Sequence, residues 1–138
     1  MNGDDGQATA ADSIELRVHA DPAYLAVIRT AAAGLAARLE LTLDEIEDLR
    51  IAVDEACALL LDPAGQPGAS LTTVFTSREG NLEVRVSGPA RPLPDRDSFA
   101  WAVLEALVGT VETGETSGQD GAVGSWIRLS RTSARTPA

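Results

Sequence analysis

The alternation of apolar and polar residues predicts five strands. In residues 13–20 (SIELRVHA) every second side chain is apolar, which is the period of a half-buried strand. Residues 81–87 (NLEVRVS) repeat that alternation, and residues 70–77 (SLTTVFTS) are rich in β-branched side chains, which favour strands. Residues 125–131 (SWIRLSR) form the last predicted strand, and residues 110–114 are a short additional candidate.

Two of the three predicted helices are preceded by an aspartate that can cap the first turn. Asp21 stands before the first helix, expected over about residues 22–40, where apolar side chains recur at helical spacing. Asp97 stands at the start of the third helix, expected over about residues 97–109 (DSFAWAVLEALVG).

The second helix has the clearest start signal in the sequence. Thr42 and Glu45 form a capping box, in which each side chain accepts a hydrogen bond from the other residue's backbone N–H. One apolar stripe then runs along the helix, which ends near Leu61 because residues 62–68 (DPAGQPG) are rich in helix breakers.

The order of the predicted elements is β-α-α-β-β-α-β-β. Since strands and helices do not alternate singly, we expect an α+β fold and not a doubly wound parallel sheet. The expected architecture is a two-layer sandwich whose mostly antiparallel sheet carries three helices on one face. One domain should cover residues 13–131, with small, polar, disordered tails at residues 1–12 and 132–138.

The composition indicates which kind of partner and which cellular compartment suit the chain. The formal net charge of −10 argues against direct contact with nucleic acid, where Lys and Arg must replace counterions, and it permits a basic protein partner. No apolar run is long enough for a membrane span, and the first residues lack the pattern of a secretory signal. The single cysteine, Cys57, fits a reducing cytoplasm, where it is either a buried small hydrophobe or a redox-sensitive thiol.

Two adjacent acids interrupt the apolar segment IAVDEACALLL, residues 51–61. On a helical wheel Asp54 lies on a side where water can solvate it, whereas Glu55 shares a second row with Leu59, away from the main apolar stripe. Glu55 is therefore either a surface acid or a group that lines a pocket, where a carboxylate could act as a general base.

The segment LDEIEDLRIAVDEAC, residues 43–57, resembles the second-helix motif of the RsbW and SpoIIAB family. That family consists of bacterial anti-sigma factors, also described as serine-protein kinases, within the GHKL class of histidine-kinase-like ATPases. The resemblance follows the order of elements over residues 14–131 and implies the Bergerat-type α/β sandwich of that class. It also implies that Glu55 occupies the position of the general base that activates a substrate serine.

The motif departs from the family pattern at Leu59. Kinases of the family carry an asparagine there, which holds magnesium on the nucleotide phosphates. A leucine offers no oxygen to Mg²⁺, so we expect no metal site and interpret Glu55 as a vestigial base.

The second nucleotide motif of the family is also altered. An aspartate that reads adenine follows the strand that matches LEVRVS, and here the sequence continues SGPARPLPD. Depending on the alignment, Ser87 or Gly88 takes the place of that aspartate, and Pro89 and Pro92 stiffen the loop that should line the nucleotide.

The third motif, a glycine-rich lid ahead of the third helix, is replaced by RDSFAWAVLEAL. We expect Phe99 and Trp101 to pack in the core and to fill the space that a triphosphate needs. The later segment GAVGSW resembles a closing motif of the family, and Gly124 and Ser125 are the residues there that could still contact a nucleotide.

The resemblance implies a sequestering function with a degenerate nucleotide site. We expect a cytoplasmic anti-sigma factor of the sigma-B/F, stress-response type, which holds a sigma factor of RNA polymerase and is released by a STAS-domain antagonist. It should bind no cofactor and form a homodimer. The resemblance also implies that Arg29 on the first helix matches an arginine of the family that contacts the partner. Tyr24 and Leu25, one turn earlier, are expected to add apolar contact area, since arginine and aromatic residues are enriched at binding hot spots.

Two alternative functions fit the same residues. The chain could be an active serine-protein kinase that phosphorylates its antagonist, in which case ATP and magnesium would bind through replacement contacts. It could also be an acidic domain that shares only the family's fold and binds a partner other than a sigma factor.

Overall fold

The sheet has five antiparallel strands in the order β1-β2-β3-β5-β4 in a computed structural model, which describes residues 12–117 and 123–132. β1 and β4 are its edges, and β5, which follows the other described strands in the chain, lies inside it. The strands are β1 Asp12–His19, β2 Ser70–Arg78, β3 Asn81–Pro89, β4 Thr110–Ser117 and β5 Val123–Thr132.

Helices cover one face of the sheet. Every second side chain of the inner strands is buried against them: Leu71, Thr73 and Phe75 in β2, Leu82, Val84 and Val86 in β3, Ile127 and Leu129 in β5. The residues between these belong to the other face. There Trp126 lies against Gly114, and the guanidinium groups of Arg85 and Arg128 stack on the indole at 4.8 and 5.3 Å.

Three α-helices form the second layer: α1 Leu25–Arg38, α2 Leu43–Leu60 and α3 Phe99–Val108. Helix α2 is the central one, because it packs against α1 and α3 and also against β3 and β5. The predicted α+β sandwich, with an antiparallel sheet and three helices on one face, is therefore confirmed. None of the described helices is both long and apolar enough to cross a bilayer.

Both hydrogen bonds of the predicted capping box are present at the start of α2. The Glu45 N–H donates to the Thr42 hydroxyl at 3.1 Å, and the Thr42 N–H donates to the Glu45 carboxylate at 2.8 Å. Glu45 is buried and also accepts a hydrogen bond from Arg131 at 3.1 Å, so it links α2 to β5. The bond from the Thr42 N–H is the main cause that lowers the pKa of Glu45, against the opposing effect of burial, and Arg131 adds to it.

The starts of the other two helices differ from the prediction in detail. Asp21 accepts a hydrogen bond from the Ala23 N–H as expected, but residues 22–24 form a 3-10 turn before α1 begins. The prediction that Asp97 caps α3 is wrong. Ser98 occupies the N-cap position, since its N–H closes a turn onto the Asp95 carbonyl and its backbone is extended.

The last two strands are longer than their patterns predict. β4 continues past residue 114 to Ser117 because its ladder with β5 continues that far. Asp12 and Thr132, assigned to the tails, are the first residue of β1 and the last of β5. The rest of both predicted tails, residues 1–11 and 133–138, lies outside the described residues.

Replacing Thr42 by alanine removes the hydroxyl that accepts the Glu45 N–H. We expect Thr42→Ala to lower the free energy of unfolding by about 1 kcal/mol, as loss of an N-cap typically does. Thr30→Ala is the matched control, because Thr30 is exposed within α1 and alanine is the better helix former. Urea denaturation followed by circular dichroism measures both, and equal losses in the two variants would contradict the role of the cap.

Candidate functional site

Glu55 and Leu59, both in the second half of α2, differ in how deeply they are buried. Glu55 is exposed and forms no hydrogen bond or ion pair with any residue that the structure describes. Leu59, one turn later, is half-buried and packs against the core. Glu55 therefore has the sequence position of the family's base, but it lacks the polar neighbour that would orient a general base.

Asp54 is partly exposed to water, as its side of the helix predicts, and it is also paired, which the sequence did not predict. Its Oδ1 accepts a hydrogen bond from Arg29 Nη1 of α1 at 2.6 Å. Both side chains are partly exposed, at 34% for Arg29 and 39% for Asp54. The wheel of a single helix cannot reveal such a pair, because the partner lies on the neighbouring helix. Arg29, an expected partner contact, is thus held in place by Asp54.

Cys57 lies in the core, with 1% of its surface exposed. Burial, and to a smaller extent the negative charge of Asp54, raises the pKa of the thiol to about 12. The thiol is therefore protonated at neutral pH, where a redox-sensitive cysteine would need thiolate character. Of the two interpretations of Cys57, the structure favours the buried small hydrophobe.

Gly88 is the position in β3 that faces the helical layer. It is partly buried and lies on the same side of β3 as Leu82, Val84 and Val86, whereas Ser87 belongs to the helix-free face and pairs with Thr72 and Trp126. A Cβ at Gly88 would lie 2.9 Å from Leu71 Cδ2 and 3.8 Å from Leu60 Cβ. The end of the Leu71 side chain would therefore have to move to admit any side chain at residue 88, an aspartate included.

The loop that replaces the glycine-rich lid is fastened to the rest of the fold. Trp101 is buried, and its indole N–H donates to the Pro94 carbonyl at 2.9 Å, as a buried tryptophan requires. Arg96 stacks on the Trp101 ring at 5.0 Å and donates to Glu105 and to the Val111 carbonyl. These contacts tie residues 91–98 to α3 and β4.

Of the two aromatic residues expected to fill the lid region, only Trp101 is buried. Phe99 is 82% exposed, so its predicted place in the core is wrong. Residues 99 and 101 lie about 200° apart on a helix, so they face opposite sides of α3. Because the segment is strongly apolar, the sequence does not show which of the two faces the core.

Ser125 and Gly124 lie at the start of β5, opposite Gly88 and Pro89 of β3. The Ser125 hydroxyl accepts a hydrogen bond from the Arg91 N–H at 3.1 Å and donates to the Arg91 carbonyl at 3.2 Å. The hydroxyl therefore holds the loop both as a hydrogen-bond acceptor and as a hydrogen-bond donor. The sequence gives no signal for this contact, since the two residues are 34 positions apart.

The expected partner contacts on the first helix differ in exposure. Tyr24 is 40% exposed and its ring lies 5.5 Å from that of His19. Leu25 is 9% exposed and belongs to the core, so it offers little area to a partner, although it lines a groove of about 680 Å³ beside residues 61–69. Arg29 and Tyr24 are thus the exposed members of the set.

A side chain added at Gly88 would meet Leu71, so it should change the stability of the fold. We expect Gly88→Ala to lower the free energy of unfolding by about 1–3 kcal/mol, because the added methyl group overpacks a filled core. Gly34→Ala is the matched control: Gly34 lies in α1 with no atom within 4 Å of the added Cβ, and alanine should stabilise the helix by about 0.5–1 kcal/mol. Thermal unfolding of both variants tests this, and an unchanged Gly88→Ala protein would disprove the tight packing.

The chain matches a family model described as histidine kinase-like ATPase domain over residues 18–100. It is 32% identical over 132 residues to the anti-sigma-F factor RsbW of Mycobacterium tuberculosis (strain H37Rv), covering 94% of this chain and 78% of that protein. It is 34% identical over 121 residues to the serine-protein kinase RsbW of Bacillus subtilis (strain 168), covering 85% and 72%. The resemblance seen in α2 is therefore confirmed, and the chain belongs to the RsbW family of histidine kinase-like ATPase domains.

Proposed function

We propose that the chain is an anti-sigma factor that acts by binding a sigma factor and not by phosphoryl transfer. The observation that carries the proposal is the closeness of Leu71 and Leu60 to Gly88, one of the two positions that could match the adenine-reading aspartate of the family's kinases. The relatives are named both as an anti-sigma factor and as serine-protein kinases. Sequestration needs only a protein surface, whereas a kinase needs a working nucleotide site.

The loss of nucleotide binding is argued from three positions. Leu59 gives no oxygen to magnesium, Gly88 gives no carboxylate to adenine, and the fastened loop at residues 91–98 gives no glycine-rich lid. Each missing contact with a buried polar group costs about 1–3 kcal/mol, and phosphoryl transfer depends on such positioning. Glu55 is then a vestigial base, and no ATP or magnesium is required.

The sigma factor is proposed to contact the surface around Arg29. A planar guanidinium can donate to a carboxylate with two N–H groups at once, and Asp54 accepts from only one nitrogen, Nη1. The pair with Asp54 also reduces the freedom that Arg29 would lose on binding, which lowers the cost of complex formation. Tyr24, one turn away, adds exposed aromatic area.

The wider regulatory scheme follows the family. The partner is a sigma factor of the B/F type in the cytoplasm, a STAS-domain antagonist releases it, and the anti-sigma factor is a homodimer. The net charge of −10 suits a basic surface of the sigma factor, which the acidic protein can cover in competition with DNA. Release then depends on the amount of antagonist or on another kinase.

The proposal predicts that Mg-ATP does not bind at micromolar concentration. Isothermal titration calorimetry measures this, with the serine-protein kinase RsbW of Bacillus subtilis as the positive control. Leu59→Asn should not restore binding on its own, because Gly88 and the fastened loop are unchanged. Micromolar binding by the unmodified chain that Glu55→Ala abolishes would contradict the proposal and favour the kinase.

Arg29→Ala should weaken binding of the sigma factor by roughly 30-fold, the size of a hot-spot loss. Arg38→Ala is the matched control, because Arg38 is an exposed arginine at the other end of α1. The measurement is surface plasmon resonance with purified B/F-type sigma factors from the same genome. No binding to any of them would overturn the anti-sigma function, and equal affinity of both variants would overturn the role of Arg29 alone.

A further inference from the structure

A groove of about 680 Å³ lies where three parts of the chain meet: the junction of β1 and α1, the end of α2, and the loop at residues 62–69. In size it falls within the range of clefts that hold small ligands. Glu55, Arg29 and Gly88 are not among the described residues that line it. The groove is therefore a candidate binding surface separate from the nucleotide position and from the contact proposed at Arg29.

Backbone hydrogen bonds hold the two walls of the groove together. The Ala20 N–H, at the junction of β1 and α1, donates to the Ala69 carbonyl of the loop at 2.9 Å. Within the loop the Ala69 N–H donates to the Gln66 carbonyl at 3.0 Å, which closes a turn. Because the loop is tied to itself and to the opposite wall, the groove is formed before a partner arrives. A preformed site loses less conformational entropy on binding.

Most of the side chains that line the groove are short and apolar. Nine of the fifteen lining residues are alanine, leucine or proline, so the wall offers aliphatic surface and not hydrogen-bonding groups. The larger of them are Pro22, Leu25, Leu61, Pro63 and Pro67. An aliphatic group that lies on this wall removes apolar surface from water on both sides, which is favourable.

The charged side chains that line the groove are both acidic, and His19 is the one other titratable residue there. Asp21 and Asp62 each accept a hydrogen bond with Oδ1 from the backbone N–H two residues later, at 2.8 and 2.9 Å. Within residues 12–117 and 123–132 neither aspartate takes part in an ion pair. A cation that entered the groove would therefore not have to displace an existing one.

An arginine side chain of a protein partner fits both the apolar wall and the two acids. Its aliphatic stem can lie on apolar surface while its guanidinium reaches carboxylates and water. The guanidinium is more weakly hydrated than the ammonium of lysine, so it loses less when it leaves bulk water. The net charge of −10 also favours the approach of a basic partner.

We propose that this groove binds an arginine side chain of the partner, with the aliphatic stem on the apolar wall and the guanidinium paired with Asp21 or Asp62. Leu25 lines the groove one turn before Arg29 in α1, so the groove adjoins the surface proposed to contact the sigma factor. The inference deepens the proposed function, on which it rests for the identity of the partner, by adding a second contact of stated chemistry.

A small probe tests the groove in the absence of a partner. N-butylguanidinium carries the cation and an aliphatic stem, and N-butylurea is its uncharged counterpart. In amide NMR titrations of the full chain, butylguanidinium should shift backbone signals within residues 19–25 and 58–69 and reach saturation. Butylurea should bind at least about fivefold more weakly, which is the scale of an exposed ion pair. Equal binding of the two probes, or shifts spread over the other acidic surfaces, would overturn the proposal.

The double variant Asp21→Asn/Asp62→Asn removes both charges from the groove. Asparagine keeps the side-chain oxygen that accepts the backbone N–H, so the fold should be unchanged. The dissociation constant of butylguanidinium should rise at least about fivefold, while that of butylurea should stay the same. Asp95→Asn is the matched control, because Asp95 is an exposed aspartate outside the groove. A double variant that binds butylguanidinium like the unmodified chain would contradict the role of the two acids.

Titration with purified B/F-type sigma factors from the same genome separates this proposal from the anti-sigma function. The double variant should bind the sigma factor at least about fivefold more weakly than the unmodified chain, and butylguanidinium should compete with the sigma factor. Equal affinity of the two chains would overturn the groove as a partner contact. If the unmodified chain binds no sigma factor but the probes follow the expected pattern, the arginine site is supported and only the anti-sigma function is refuted.

Discussion

The burial of one side of helix α2 against β3 and β5 is the constraint on which the other features depend. Leu49, Val53, Ala56 and Leu60 are each at most 2% exposed, so the orientation of α2 about its axis is fixed by the core. That orientation leaves Asp54 beside α1, where it meets Arg29, and leaves Glu55 in solvent. It also brings Leu60 next to Gly88. The orientation of α2 in the core therefore determines both where the two acids lie and how closely Leu60 approaches Gly88.

Features encoded over a few neighbouring residues could be predicted from the sequence. The capping box needs only residues 42–45, and the strands need only their own alternation, because local hydrogen bonds and the two-residue period determine them. The exposure of Phe99 could not be predicted, because a strongly apolar helix carries apolar side chains on every side. The N-cap at Ser98 could not be predicted either, because the turn that precedes α3 decides where the helix begins.

The candidate site likewise combines features that could be predicted from the sequence with features that could not. The interpretation of Glu55 and Leu59 rests on one motif, because both residues lie within a single helix. The Arg29–Asp54 pair and the Arg91–Ser125 contacts required the arrangement of separate elements, 25 and 34 positions apart in the chain. At Gly88 one aspect is evident from the sequence and the other depends on the fold. Its lack of a carboxylate is evident from the sequence, but the filling of its surroundings by Leu60 and Leu71 depends on how closely α2 approaches the sheet.

The inner position of β5 has a consequence for biosynthesis. A ribosome makes β5 after the other described strands, yet β4 has no other strand to pair with and β3 has one open side until it arrives. Ser125, which holds the loop at Arg91, comes with it. A nascent chain can therefore build the β1-β2-β3 meander early, but it must keep β4 unpaired while translation continues. The described sheet closes only when β5 pairs with β3 and β4, and a chain that ends before β5 would expose two more unpaired strand edges to the cell's proteases and chaperones.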